Sequence, residues 1–482
     1  MPSMQSRAPL FEALVKHVMQ NPAGFHIPGH SQGKGLPAEL LKLGGQALFA
    51  FDLTELPGLD DLHNPGGPIA RSQELAAKIY GADKSFFLVN GTTTGILALI
   101  NALAGQGKVI IPRNAHRCVL GGLVLSGADP VYVLPGIIPE FEVDCGVTPA
   151  SIRRALGLNP GTAAVLAVRP NYYGITGDLA GQVLAAHEAG IPVLVDEAHG
   201  AHLRFHHDLP GDAMDAGADA AVQSTHKLGG SLGQSSMLHL RGDLVDADAV
   251  AAALRLLQTT SPSYLLMASL DLARRQLFLQ GEELTEKALC LARGVRQRLS
   301  GIGNLRILTS DYLPEDCCGL DTTKLVISVR GLGLTGYQVK GLLSERYKVF
   351  IEMADFNNIV AVVSMGTTSE DCNELVGALK DIAARDQQQA QPPLPGAPCL
   401  YKKMMKPRDA WFAPAKKVLL AEARGRICAE AVAVYPPGIP VVNPGEEITA
   451  EIYEYLLQVS EMGLGCQGPS DPTLKTIKVV IE

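Results

Sequence analysis

Six short apolar runs, Lys108 to Ile111, Val131 to Val133, Ala164 to Val168, Pro192 to Val195, Ala218 to Gln223 and Ser236 to Leu240, recur along the chain with helical stretches between several of them. Strands that alternate with helices in this way build a mostly parallel sheet covered by helices on both faces, so an α/β fold is expected. Such sheets bind ligands in the crevice beyond the carboxyl ends of their strands. From about Ser261 the pattern changes to a long helical segment followed by strand candidates Thr323 to Ser328 and Ile359 to Ser364, which reads as a smaller α+β domain. The run Gln387-Gln388-Gln389-Ala390-Gln391-Pro392-Pro393-Leu394-Pro395-Gly396 has the composition of an exposed linker. The expected organisation is an N-terminal segment (1–65), a large domain (66–259), a small α+β domain (260–385), a linker (386–398) and a C-terminal α+β domain (399–482). A chain of 482 residues, 47% of them hydrophobic, has material for more than one core.

The strand from Pro192 runs into Asp196-Glu197-Ala198-His199-Gly200, which delivers Asp196 to a sheet edge where it faces the crevice. Further on, Ser224-Thr225-His226-Lys227, with Gln234-Ser235-Ser236 close behind, sets one lysine among hydroxyl donors and a histidine. A lysine can form an imine with an aldehyde cofactor, and Ser, Thr and His side chains can hydrogen-bond the phosphate that anchors it. Taken alone, Lys227 reads better as a solvated surface lysine. Paired with Asp196 it says more, because a carboxylate opposite a pyridinium nitrogen keeps that ring protonated and able to take up electrons. Leu88-Val89-Asn90-Gly91-Thr92-Thr93-Thr94-Gly95 is a strand, a glycine turn and the approach to an apolar helical stretch from Ile96 to Leu103. Helix N-terminal amides and threonine hydroxyls bind a phosphate there, although a Thr-capped helix needs no ligand. Pyridoxal 5'-phosphate is the cofactor that all three features suit.

These motifs stand in order with others: Phe25-His26-Ile27-Pro28-Gly29-His30, Thr54-Glu55-Leu56-Pro57-Gly58-Leu59-Asp60-Asp61-Leu62, Pro65-Gly66-Gly67-Pro68-Ile69, Arg113-Asn114-Ala115-His116, Asn171-Tyr172-Tyr173-Gly174, Ser261-Pro262-Ser263-Tyr264 and Tyr435-Pro436-Pro437-Gly438-Ile439-Pro440. Nearly end to end, the chain resembles the Orn/Lys/Arg decarboxylase family, pyridoxal-phosphate enzymes of fold type I that act on basic amino acids. The resemblance implies an aspartate aminotransferase-like large domain, with Lys227 carrying the cofactor, Asp196 on its ring nitrogen, and Ser224 and His226 on its phosphate beside Gly91, Thr92 and Thr93. It implies further that His116 stacks on one face of the ring while Ala198 packs on the other. Ser261 and Ser263 would reach the partner subunit's phosphate, so a homodimer or higher homo-oligomer with its active site at the subunit interface is expected. The chain resembles the short members, without the N-terminal wing domain. Two departures are Ser31, where the family often has lysine, and Asn171, where threonine commonly precedes the tyrosines; both are expected to bear on substrate handling.

The implied reaction is loss of CO2 from a basic L-amino acid, arginine favoured over lysine and ornithine, in polyamine synthesis. Lys227 and His226 are alternative donors of the proton that replaces the carboxylate. A distal substrate cation needs an acidic partner. Glu352, after a strand-like Tyr347 to Ile351 stretch, is the first candidate, with Asp355, Tyr435 and Glu446 behind it; each carboxylate reads as readily as a solvated charge. An aminotransferase or lyase on the same fold is an alternative, disfavoured by the lack of an evident C-terminal arginine pocket for a substrate carboxylate; a non-catalytic regulatory relative that binds the cofactor is another, disfavoured by the intact Lys227, Asp196 and His116. The net charge of −8 argues against nucleic acid as a partner. With no apolar run of spanning length and no leader-like start, a cytoplasmic protein without membrane association is expected. Nine cysteines, including adjacent Cys317 and Cys318, show no metal spacing and suit reduced thiols.

Overall fold

In the computed structural model, residues 4–105, 107–314, 317–385, 401–434 and 439–481 are described. The chain forms two compact units, each built from two stretches: Met1–Ala102 with Pro192–Leu284, and Leu103–Ile191 with Thr285–Glu482. The expected linker falls outside the described residues.

In the first unit, four strands lie in the order Lys84–Leu88, Ser236–Leu240, Ala220–Gln223, Val193–Asp196. The last two are parallel, and the first and second pairs are antiparallel. All four residues of Val193–Asp196 and of Ala220–Gln223 are buried, as expected of strands covered on both faces. The register brings functional ends together: Leu88 pairs with Ser236, Met237 with Gln223, and Val222 with Asp196. The carboxyl ends of three strands and the start of the fourth therefore share one edge. A core of Leu10, Leu14, Leu59, Ile69, Tyr80, Phe87, Met237 and Tyr264 lies beneath, all at most 1% exposed.

The second unit holds three parallel strands in the order Thr162–Val168, Lys108–Pro112, Asp129–Val133. Its second sheet is antiparallel, ordered Arg306–Ile307, Lys324–Ser328, Asn358–Val362, Met353–Ala354, and packs on the helices Gly336–Arg346 and Ser369–Arg385. Residues 401–481 add the strands Val432–Val434, Ile439–Val442 and Cys466–Gln467 and the helix Ala450–Glu461, around their own core of Val432, Val442, Ile452, Leu456 and Ile477. The observed class is mixed α/β with a mostly parallel sheet, as the alternation of runs predicts. Tyr347 to Ile351, read as strand-like in the sequence, is instead irregular backbone after a helix that ends at Arg346. No helix among the described residues is long and apolar enough to cross a membrane.

One buried polar network underlies the first unit's sheet. Gln223 donates to Glu197 Oε2 (2.8 Å), and its own oxygen accepts from His239 Nε2 (3.2 Å). His239 Nδ1 in turn accepts from Ser85 Oγ at 2.7 Å. Enclosed and 4.4 Å from the Tyr80 ring, His239 has its pKa pushed down to about 3 by burial, with Arg204 adding to the effect. A depressed histidine pKa means that the unfolded chain binds the proton more readily. The stability this contributes is complete above the unfolded value near 6.5 and declines as pH falls below it. Between pH 7 and pH 5 the protein is expected to lose about 2 kcal/mol more unfolding free energy than its His239→Gln variant. Denaturant titration of both proteins at the two pH values checks this, and equal losses would refute it.

Candidate active site

The common strand edge of the first unit gathers a distinctive set of side chains. Asp196 closes its strand, 6% exposed, and Oδ1 accepts the amide of Ala198 at 3.2 Å. Glu197, fully buried, turns the other way: Oε1 accepts the Ala213 amide at 2.8 Å while Oε2 takes Gln223. Period-two alternation at the strand end thus sends one carboxylate to the edge and one into the core. The neighbouring strand ends at Gln223, and the single-turn helix Thr225–Leu228 that follows carries Lys227 out to an exposed position.

Lys227 Nζ lies 2.9 Å from His199 Nε2. An ammonium has only donors, so the imidazole nitrogen accepts. His199 is buried in the loop after Asp196, and sequence reasoning gave it no role although it stands in the same motif. Its hint was position alone, three residues beyond the strand-end carboxylate. His226 Nδ1 donates to the Ser235 carbonyl at 2.8 Å. Burial lowers the His226 pKa and the nearby Lys227 charge lowers it further, against the opposing Ser235 bond, so this ring is neutral at neutral pH.

The helix foreseen from Ile96 begins earlier, at Gly91, so the Gly91-Thr92-Thr93 turn is itself the first helical turn. Gly91 adopts φ +74°, where glycine carries no Cβ penalty, and its amide donates to the Gln234 carbonyl at 2.8 Å. Thr92 Oγ1 is 2.5 Å from Ser224 Oγ and 3.3 Å from Ser236 Oγ. Three hydroxyls from three separate elements therefore meet at a helix N-terminus. Thr93 is exposed, and Ala198 is half-buried next to Asp196. Ser261 is exposed and lies 3.1 Å from Thr259 Oγ1, whereas Ser263 accepts the Leu266 amide at the start of the Tyr264–Leu299 helix.

His116 lies in the second unit, half-buried, in the loop between the Lys108–Pro112 strand and the Cys118–Ser126 helix, and its Nδ1 accepts the Cys118 amide at 3.2 Å. Among the sequence candidates for the substrate cation, Glu352 is exposed, immediately before the Met353–Ala354 strand. Asp355 is instead held within the fold by Tyr173 Oη (2.9 Å), by Asn358 Nδ2 and by the amides of Asn357 and Asn358, and burial raises its pKa. Glu446, 1% exposed, forms a two-pronged bond with Arg113 at 2.7 and 2.9 Å. Neither carboxylate has the open acceptor that a substrate cation needs, because both are consumed by internal donors. Tyr435 lies outside the described residues. Asn171, expected to bear on substrate handling, is 4% exposed; it donates to Asp144 and accepts the amides of Tyr173 and Ile175, which shapes the turn that follows.

A family model described as Orn/Lys/Arg decarboxylase, major domain, matches residues 8–371, and the model of that family's C-terminal domain matches residues 397–468. The chain belongs to the Orn/Lys/Arg decarboxylase family. It is 44% identical to an arginine decarboxylase of Bacillus subtilis (strain 168), with 99% of each chain covered. Identity with an arginine decarboxylase of Bacillus anthracis is 41%, covering 99% of this chain and 98% of that one. The fold matches the constitutive lysine decarboxylase of E. coli with a TM-score of 0.84, covering 99% of this chain and 82% of that one at 21% identity. At that identity the likeness concerns the fold.

Proposed function

We propose that this decarboxylase converts L-arginine to agmatine and CO2 with pyridoxal 5'-phosphate on Lys227, acting in the cytosol as a homodimer. The observation that carries the reading is the strand register that collects Asp196, Lys227 and the Thr92, Ser224 and Ser236 hydroxyls at one edge. The donor set suits each part of the cofactor. The hydroxyls and the first turn of the Gly91–Ala104 helix offer hydrogen bonds and a positive dipole to a phosphate dianion. Asp196 offers a carboxylate to the ring nitrogen, and Lys227 an amine to the aldehyde carbon. When bound, the cofactor supplies a sink for the electron pair left as the bond between the α-carbon and the carboxylate breaks.

The remaining work falls to the protein. Asp196 keeps positive charge on the ring nitrogen. By the family resemblance His116 would cover one ring face and Ala198, small enough to allow close approach, the other, while Ser261 and Ser263 would serve the partner's site. His199 takes a proton from Lys227 Nζ along their 2.9 Å bond, which frees the amine, and returns it so that Lys227 can protonate the substrate α-carbon. His226 is the weaker donor, since it is held neutral and its Nδ1–H is committed to Ser235. Glu352, with Asp355 and Glu446 engaged elsewhere, is the carboxylate assigned to the guanidinium, whose planar fork matches it with two parallel bonds.

Purified protein supplied with pyridoxal 5'-phosphate is expected to release CO2 and agmatine from arginine; release from lysine or ornithine alone would reassign the substrate. Lys227→Ala should show neither turnover nor the visible absorbance of lysine-bound cofactor, and surviving turnover would remove Lys227 from this role. His199→Asn is expected to lower kcat on the order of 100-fold with cofactor affinity retained; an unchanged kcat places the proton path elsewhere. For Glu352→Gln, KM for arginine should rise about tenfold or more with little change in cofactor affinity, whereas an unaltered KM would move the cation site.

A further inference from the structure

The loop that carries His116 is gripped by residues far along the chain within the same unit. Arg113, three positions before His116, is 6% exposed and binds Glu446 at 2.7 and 2.9 Å and the Val441 carbonyl at 3.1 Å. Its guanidinium lies 3.7 Å from the centre of the Tyr401 ring and 4.7 Å from that of Tyr132. Glu446 is itself oriented by the Asn443 amide at 2.8 Å, and Asn443 Nδ2 donates to Tyr132 Oη at 3.2 Å. The hold extends past His116. The Cys118–Ser126 helix begins at the amide that His116 Nδ1 accepts, and Arg408 donates to the Leu125 carbonyl near its far end at 2.7 Å. Lys406 reaches the Gly127 carbonyl just beyond, and Leu120 and Val124 pack on Ala431. Cations at a helix C-terminus meet its negative dipole end.

Such a clamp exceeds what docking alone requires. A buried ion pair is weak support for stability, because apolar residues of similar volume do as well or better, and its best-attested use is to specify geometry. Here the geometry specified is that of a loop bearing a ring-stacking side chain. We propose that residues 401–434 and 439–446 act as a positioning element for His116, with Arg113 and Glu446 as positioning residues that set the imidazole's height and tilt. The inference rests on the reading of His116 as the residue that covers the cofactor ring.

The test uses the full-length enzyme loaded with pyridoxal 5'-phosphate and compares His116→Ala, the paired replacement Arg113→Met with Glu446→Leu, and the combination of all three. The paired variant removes both charges together, so no lone buried ion is left to unfold the protein. Its melting temperature should stay near that of the parent. Its kcat should fall on the order of 10- to 100-fold with KM changed less than about twofold, as expected of a misplaced group. The circular dichroism of the bound cofactor in the visible region should weaken as it does in His116→Ala, and amide exchange across residues 113–126 of the cofactor-free protein should quicken. Because both changes act through one ring, the triple variant should be no worse than His116→Ala alone. A paired variant with parental kcat and dichroism overturns the proposal, as does a triple variant whose loss is the product of the two. If His116→Ala itself changes neither kcat nor dichroism, the ring-stacking reading fails and the proposal with it; if His116→Ala is impaired and the paired variant is not, only the positioning role falls. Should the paired variant not fold, Tyr401→Leu strips one face from the guanidinium and leaves the ion pair intact. Its kcat and dichroism should then fall in the same way, and parental values there overturn the proposal.

Discussion

Everything at the first unit's site depends on which face of the sheet Asp196 takes, and Glu197 decides that. Adjacent residues at a strand end point to opposite faces, so the two carboxylates cannot both reach the edge. Glu197 is fully enclosed, and both of its oxygens are engaged, by the Ala213 amide and by Gln223. In the reverse arrangement a charged carboxylate would lie in the core without these donors, at a cost of several kcal/mol. A slip of one residue exchanges the two faces, so the same penalty protects the register of the Val193–Asp196 and Ala220–Gln223 pair. The register then carries Ser224 and Lys227 to the edge where Asp196 stands.

The second unit obeys the same rule with different results. Asp144 is enclosed, and its carboxylate accepts from Asn114 and Asn171, while burial raises its pKa in spite of those bonds. Asp355 and Glu446 are likewise surrounded by internal donors. For Arg113, burial works against the charge, but the Glu446 carboxylate and the two flanking tyrosines leave the guanidinium pKa above its ordinary value. A buried carboxylate that already satisfies its donors is part of the scaffold, because removing a donor to admit a ligand leaves that donor uncompensated. An exposed carboxylate such as Glu352 carries no such penalty.

This distinction explains what the sequence disclosed and what it withheld. Short buried strands with a polar residue at the carboxyl end are local patterns, so the sheet strands, Asp196 and Lys227 could be read directly from residue order. The start of the Gly91–Ala104 helix was misplaced by five residues, because Gly91 and three threonines look like a turn until the Gln234 carbonyl and the sheet edge fold them into the first helical turn. Hydrogen-bond partners hundreds of positions away are invisible to local patterning. Arg113 and Glu446 are 333 residues apart, and neither stretch carries a mark of the other. The substrate-side carboxylates were therefore ranked without the one fact that separates them, their internal partners. His199 went unassigned for a related reason: a histidine gains meaning from the atom that it faces, here Lys227 Nζ.

The three polar groups beside that strand edge also divide the protons among themselves. Lys227 as an ammonium puts a positive charge next to the His226 imidazole, which disfavours a second charge there. In His226 burial lowers the pKa and that repulsion adds to it, outweighing the Ser235 carbonyl, whose bond to Nδ1–H favours the charged ring. His199 presents Nε2 to Nζ, so the same proton can pass between them with one charge conserved and no change in the net charge of the site. A lysine must shed its proton before its nitrogen can attack a carbonyl carbon and must regain one before it can donate. On the proposed reading, transfer over 2.9 Å to a buried imidazole meets both requirements without moving charge through solvent, whereas the neutral His226 ring, with its one N–H on the Ser235 carbonyl, carries no proton on Nε2 to give. On the proposed reading, the histidine that the sequence left without a role is thus the one whose geometry would let Lys227 alternate between nucleophile and acid.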